Sequence, residues 1–225
     1  MKRTNHPKKM TFEKSTVHGV TLFRAVAPEE GPIKLFVGGL HGDEGAHNAP
    51  ILERLAQETV KAGEAIIVPS LVENSTYIGV LTDEYYQSEA GMRLLQLILE
   101  YNPSFYFELH AYGEQSYARL TDPERVKRIG VPQFVDMGDG VLIGSISPIL
   151  RRKFAMHDFC MTIEIPKWRS EREEVKEQVL EILRIALKHT EREALMREYR
   201  VRYPEQVKKA EELFYKYYRH QLKPF

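Results

Sequence analysis

Four residues have side chains and spacing suited to metal-assisted chemistry. His41 and Glu44 stand three apart in the glycine-laden stretch Gly38-Gly39-Leu40-His41-Gly42-Asp43-Glu44-Gly45. His110 follows the apolar run Phe105-Tyr106-Phe107-Glu108-Leu109, and Glu164 lies near the end of Cys160-Met161-Thr162-Ile163-Glu164-Ile165. Two imidazoles and one carboxylate make the three-ligand set of a catalytic zinc site, whose fourth position is left to water. A further carboxylate beside that position, here Glu164, is suited to moving the water's proton. The flanking glycines permit the sharp turn that brings His41 and Glu44 onto one ion.

Each residue also has a structural reading. A lone histidine is commonly a satisfied structural residue, and Glu44 suits the positive end of a following helix. His47 offers an alternative triad, His41-x-x-Glu44-x-x-His47, or simply begins that helix. Glu108, two residues before His110, faces the same side of a strand; it is either a partner of that imidazole or, as expected, a structural carboxylate. Cys160 is expected to be a small buried thiol rather than a nucleophile. The joint context favours metal ligation by His41, Glu44 and His110.

Positioning these groups calls for strands alternating with helices. Residues 17–26 and 33–37 read as strands, separated by the breaker run Pro28-Glu29-Glu30-Gly31-Pro32. A helix is predicted from about 48 to 62, with Ile51, Leu52, Leu55 and Val60 near one face. Pro50 falls in its first turn and Gly63 closes it. Residues 65–68 read as a buried strand. A second helix begins at Ser88, spaces Met92, Leu95, Ile98 and Leu99 helically, and stops at Asn102-Pro103. Short strands at 134–136 and 141–143 and a short helix at 148–154 precede the Glu164 strand. From Ser170 the pattern is helical, through Val175, Val179, Ile182 and Ala186, and a last helix carries Val207, Ala210, Phe214 and Tyr217. The first ten or so residues are polar and are expected to be loosely ordered.

This alternation predicts an α/β fold, a mostly parallel or mixed central sheet with helices on both faces and a helical C-terminal extension. The expected division is 11–169 for the α/β unit and 170–225 for the extension. In such sheets ligands bind outside the carboxyl ends of the strands, where His41 and His110 emerge.

Gly39-Leu40-His41-Gly42-Asp43-Glu44 resembles the His-x-x-Glu motif of the zinc carboxypeptidase superfamily, most closely its aspartoacylase and succinylglutamate desuccinylase branch. Phe107-Glu108-Leu109-His110-Ala111-Tyr112-Gly113 is similar to that family's second motif, an apolar strand ending in the third ligand. Met161-Thr162-Ile163-Glu164-Ile165 resembles the strand bearing its catalytic glutamate. The resemblance covers roughly residues 33 to 166, with the motifs in the family's order. It implies a zinc ion on His41, Glu44 and His110 that acidifies a water and polarises a scissile carbonyl. Glu164 would take the water's proton and deliver it to the departing amine, cleaving an amide of a small molecule or peptide terminus.

The family also places an Asn-Arg pair, and often another arginine, before the third ligand, to clamp a substrate carboxylate and stabilise the oxyanion. Residues 74–86 contain no arginine. Asp83 and Glu84 would make a pocket there acidic, which argues against a free carboxylate and permits an amine-bearing substrate. Arg93, Arg119 or Arg151 are the candidates to substitute. Asn74, Tyr85 and Tyr112 are expected to bind substrate. The β-rich C-terminal domain of aspartoacylases is replaced by helices.

Composition limits the alternatives. The 225 residues are 43% hydrophobic and 28% charged, with Lys+Arg and Asp+Glu both 32. That balance removes the electrostatic argument for a dedicated nucleic-acid binder. Residues 1–166 carry 17 basic and 21 acidic side chains and residues 167–225 carry 15 and 11, so the tail's basic excess reads as a solvated helical face. No run approaches the ~18–20 apolar residues of a membrane span. The basic start is not followed by an apolar segment, and one cysteine forms no intrachain disulfide. A cytoplasmic protein is expected. The rival to the hydrolase is a metal- or protein-binding module that keeps the fold without turnover.

Overall fold

Apolar runs of period two and apolar stripes of helical period alternate along the chain, and most fold as the corresponding element. The computed structural model describes residues 10–218. In chain order they form β1 (Thr11–Val17), β2 (Val20–Val26), β3 (Ile33–Gly38), α1 (Glu44–Leu55), β4 (Glu64–Val68), α2 (Asp83–Gln87), α3 (Glu89–Tyr101) and β5 (Phe105–Tyr112). There follow α4 (Tyr117–Leu120), α5 (Arg125–Ile129), β6 (Val135–Asp136), β7 (Leu142–Gly144), α6 (Pro148–Arg151) and β8 (Phe159–Pro166). Three helices end the described chain, α7 (Glu173–Lys188), α8 (Arg192–Arg202) and α9 (Pro204–Tyr218).

The strands make one mixed sheet in the order β1-β2-β4-β3-β5-β8-β7-β6. The pairs β4/β3, β3/β5 and β5/β8 are parallel, and the flanking pairs are antiparallel. After β3 the chain crosses to β4 on one side and then returns to β5 on the other, so the direction of winding reverses between β3 and β5. That reversal opens a crevice at the carboxyl ends of these strands.

Both sheet faces are covered. Phe36, Phe105, Phe107 and Met161 point into one apolar cluster with Ile51, Leu52 and Leu55 of α1 and Val179, Ile182 and Leu183 of α7. Their strand neighbours Leu35, Val37, Tyr106 and Cys160 point into the other, against Leu94, Leu97 and Ile98 of α3. The period-two alternation therefore buries every residue of β5. Each fully buried Leu, Ile or Val contributes about 1.5–3 kcal/mol. Among the described residues, no helix is long and apolar enough to cross a membrane.

Several sequence expectations are corrected. Residues 17–26 are not one strand: a two-residue turn at His18-Gly19, both with positive φ, ends β1 and starts β2. The first helix begins and ends earlier than predicted, at Glu44 and Leu55, so Pro50 lies inside it rather than in its first turn. Gly63 does not cap it; with φ +73° Gly63 passes so close to Gly31 and Pro32 that a Cβ there would lie 2.2 Å from the Pro32 carbonyl oxygen. On α3 the buried stripe is Ala90, Leu94, Leu97 and Ile98, while Met92 and Leu99 are exposed. Ser88 does cap that helix, accepting from Gly91 N, and Asn102 ends it in the left-handed conformation. The expected loose order of the first ten residues concerns, apart from Met10, positions outside the described residues.

Candidate active site

The turn after β3 carries two of the expected ligands. Gly39 and Gly42 hold φ of +61° and +59°, the left-handed region that glycine enters without a Cβ penalty. This turn sets His41 against the first residue of α1, Glu44, and both side chains are buried. β5, paired with β3 in parallel, brings His110 to the same point. His110 Nδ1 lies 3.1 Å from Glu44 Oε1, and His41 Nδ1 lies 3.6 Å from the same oxygen. Glu44 also accepts from Ala111 N at 3.2 Å and from His41 N at 3.3 Å.

One ligand atom from each of His41, Glu44 and His110 can be chosen so that all lie within 4.8 Å of one another. His41 Nδ1 is buried without a hydrogen-bond partner, an expensive condition for a polar atom unless something else occupies it. Two imidazole nitrogens, each deprotonated as the ion binds, and a carboxylate oxygen are the donors a zinc ion takes. The residues present therefore fit such an ion. Burial pushes the His41 pKa down to about 4, which keeps its ring neutral. Burial also opposes ionisation of Glu44, but the His110 and His41 rings outweigh it and hold the carboxyl below its ordinary value. His110 itself is desolvated, yet Glu44 and Glu108 raise its pKa well above that of a free imidazole.

Glu108 shares the His110 side of β5, as its two-residue offset requires. Its carboxylate accepts from Tyr106 Oη at 3.0 Å and Thr162 Oγ1 at 2.7 Å, and Oε1 lies 3.5 Å from His110 Nε2. Glu164 stands opposite His110 in the β5/β8 register and is only half-buried, its carboxyl lining a cleft of about 430 Å³ beside His41, Glu44 and His110. Desolvation, helped by Glu44 and Glu108 and opposed by His110 and Arg125, pushes its pKa up to about 7.

The other expected site residues divide. Tyr112 lines the cleft, its hydroxyl donating to Gly140 O at 2.6 Å. Asn74 is exposed with φ +46° and is not among the lining residues. Tyr85 is buried, donates to Leu40 O at 3.2 Å and stands edge-on to His41 with ring centroids 6.2 Å apart; it supports the turn after β3 and is not among the residues that line the cleft. Asp83 and Glu84 do not line the cleft, so the acidic pocket expected from them is not formed. His47 bonds Ser170 Oγ at 2.7 Å, tying α1 to the segment after β8. Cys160 is buried and its pKa is raised by burial. Arg93 pairs with Glu89, and buried Arg151 donates to the carbonyls of Phe154, Ala155 and Met156. Arg119 does line the cleft.

Tyr77 and Arg125 are among the lining residues that the sequence did not single out. The Tyr77 ring lies edge-on to His41 with ring centroids 4.5 Å apart, and Arg125 of α5 reaches the cleft from the excursion between β5 and β6. Neither carries a local signal, since Arg125 sits in an ordinary basic run, Arg125-Val126-Lys127-Arg128.

Residues 29–219 match the family DUF2119, described as an uncharacterized protein conserved in archaea. The uncharacterized protein MJ0501 of Methanocaldococcus jannaschii is 45% identical over 190 residues, covering 83% of this chain and 92% of its own. Among solved structures, the chain is similar to the ectoine utilization protein EutE (DoeB) of Ruegeria pomeroyi, at 15% identity and a TM-score of 0.49 over 80% of this chain and 66% of that one. It is also similar to an aspartoacylase family protein of Mesorhizobium loti, at 14% identity and a TM-score of 0.45 over 78% and 67%. A third is the murein-tripeptide amidase MpaA of Escherichia coli O157, at 15% identity and a TM-score of 0.43 over 84% and 96%. The chain thus spans about two thirds of the first two of these structures. With most of its length matched and a relative at 45% identity, the chain belongs to the DUF2119 family of archaeal proteins.

Proposed function

We propose that this protein is a metal-dependent hydrolase that cleaves an amide bond of a small molecule or peptide terminus in the cytoplasm, without nucleic acid or membrane. His41, Glu44 and His110 would hold a zinc ion, with Glu164 as general base and then general acid. The observation that carries this reading is the convergence of His41, Glu44 and His110, with one ligand atom from each within 4.8 Å of the others, beside a carboxylate that lines the cleft. When bound, zinc supplies Lewis-acid polarisation of a carbonyl and acidity to a water.

The chain's own residues do the rest. Glu44 keeps the two rings in register through its contacts with His110 Nδ1 and His41 Nδ1. Glu164, with a pKa near 7, is ionised often enough to accept a proton and protonated often enough to return one to a leaving amine. Tyr77 and Tyr112 both line the cleft that these residues share.

The test is hydrolysis of a panel of N-acyl amino acids and dipeptides by zinc-loaded protein, followed by amine release. Activity should appear with zinc and vanish with a chelator. Glu164→Gln should keep its zinc and lose about 10²-fold or more in kcat; unchanged turnover would remove Glu164 from its role.

A further inference from the structure

The end of β5 that carries His110 is short of a strand on one side. β8 pairs with β5 to its last residue, through His110↔Glu164, Ala111↔Ile165 and Tyr112↔Pro166, whereas β3 pairs with it only as far as Gly38↔Leu109. Phe159 N donates to Ser104 O on the β8 edge, so the odd-numbered residues that follow turn their backbone groups the other way, toward β3. Leu109 O and Ala111 N, one on each side of His110, are the next two groups on that edge, and Gly39 is the residue a longer β3 would set against them. Gly39 instead leaves the ladder with φ +61° and turns its carbonyl to Val72 N at 3.1 Å.

Two side chains of α1 take the place of that longer strand. Ala111 N donates to Glu44 Oε1 at 3.2 Å, and Leu109 O accepts from Asn48 Nδ2 at 2.5 Å. Glu44 and Asn48 stand four apart and so share one face of the helix. Asn48 is fully buried, where an amide is costly unless it bonds, and its partner is a carbonyl, so the nitrogen is the atom that faces it. The approach is close: a Cβ on Gly38 would lie 2.8 Å from Asn48 Cβ and 2.9 Å from Leu52 Cδ1, so the glycine lets the helix sit this near the strand end.

We infer that Asn48 is a positioning residue for the third metal ligand: with Glu44 it completes the edge of β5 and fixes the backbone on both sides of His110. The inference rests on reading His41, Glu44 and His110 as the metal site. Asn48 does not line the cleft, so it acts only through His110. A ligand held in place before an ion arrives binds it more tightly, because less ordering accompanies binding.

Zinc affinity of the full chain tests it, measured by competition with a chromophoric chelator, together with the visible spectrum of the cobalt(II)-loaded protein. Asn48→Ala should bind zinc about tenfold more weakly than wild type and shift the cobalt bands. Leu55→Ala, a truncation buried on the same helix, should lose stability yet keep the wild-type affinity and spectrum. Should Asn48→Ala fail to fold, Asn48→Asp, of the same size but without the amide hydrogens, gives the same reading. In metal-free protein the Ala111 amide should exchange its hydrogen faster in Asn48→Ala than in Leu55→Ala. Unchanged zinc affinity and spectrum in the Asn48 variants, or a loss that Leu55→Ala matches, overturns the inference. Wild type that binds no zinc fails the metal reading rather than the brace, which then stands on faster Ala111 exchange and falls on equal exchange.

Discussion

Glu164 occupies a position where a carboxylate is costly, next to two other carboxyls, and that cost appears as a pKa pushed up to about 7. A general base works only when ionised. The rate should therefore fall roughly tenfold per unit as pH drops below about 7, and level off above it. A pH profile of kcat/KM measures this; a rate flat from about pH 5 to about pH 8 contradicts the assignment. That His41, Glu44, His110 and Glu164 come together was legible in the sequence, because each is placed by its immediate strand or turn. Arg125 was not, because only the tertiary path of the excursion between β5 and β6 brings it to the cleft. Asn74 and Tyr85 do not line the cleft, because position along the chain does not say which side of a turn or helix faces the cavity.

The turn that joins β3 to α1 separates two effects that a sequence cannot. Gly39 and Gly42 share nearly the same positive φ, but a Cβ on Gly39 would lie 2.3 Å from Ser70 Oγ and 3.0 Å from Ser70 Cα, while one on Gly42 meets nothing within 4 Å. Gly42→Ala should cost only the left-handed penalty, about 1–2 kcal/mol. Gly39→Ala should cost that plus overpacking, about a further 1–3 kcal/mol. Urea denaturation with an unchanged m-value reads the difference, and equal losses would show that the Ser70 contact is unimportant. At this scale the sequence located most strands and helices but misjudged their edges and faces. The His18-Gly19 turn hid inside a continuous apolar run, and the stripe of α3 was displaced because Met92 and Leu99 are apolar yet exposed.

The helical C-terminal part is bound into the sheet's core. Val175, Val179, Ile182, Leu183 and Ala186 of α7 share one cluster with Phe159, Met161 and Ile163 of β8, the strand that holds Glu164. Tyr199 of α8 adds a hydrogen bond to Ile182 O at 2.7 Å. A chain cut after Ser170 should accordingly lose cooperative thermal unfolding and near-ultraviolet dichroism, since each large side chain uncovered forfeits about 1.5–3 kcal/mol. A sharp melt in the truncated chain would show that α7–α9 are dispensable to the sheet. Helicity after Ser170 was evident from spacing alone; the face it packs against was not, because an amphipathic stripe does not name its partner.

The proposed hydrolysis requires one ion held by His41, Glu44 and His110. Calorimetric titration of chelator-treated protein with zinc tests that claim directly. It should give one site per chain in wild type, and loss of that site in both His41→Ala and His110→Ala with the fold retained. No saturable zinc binding, or binding that survives both substitutions, contradicts it.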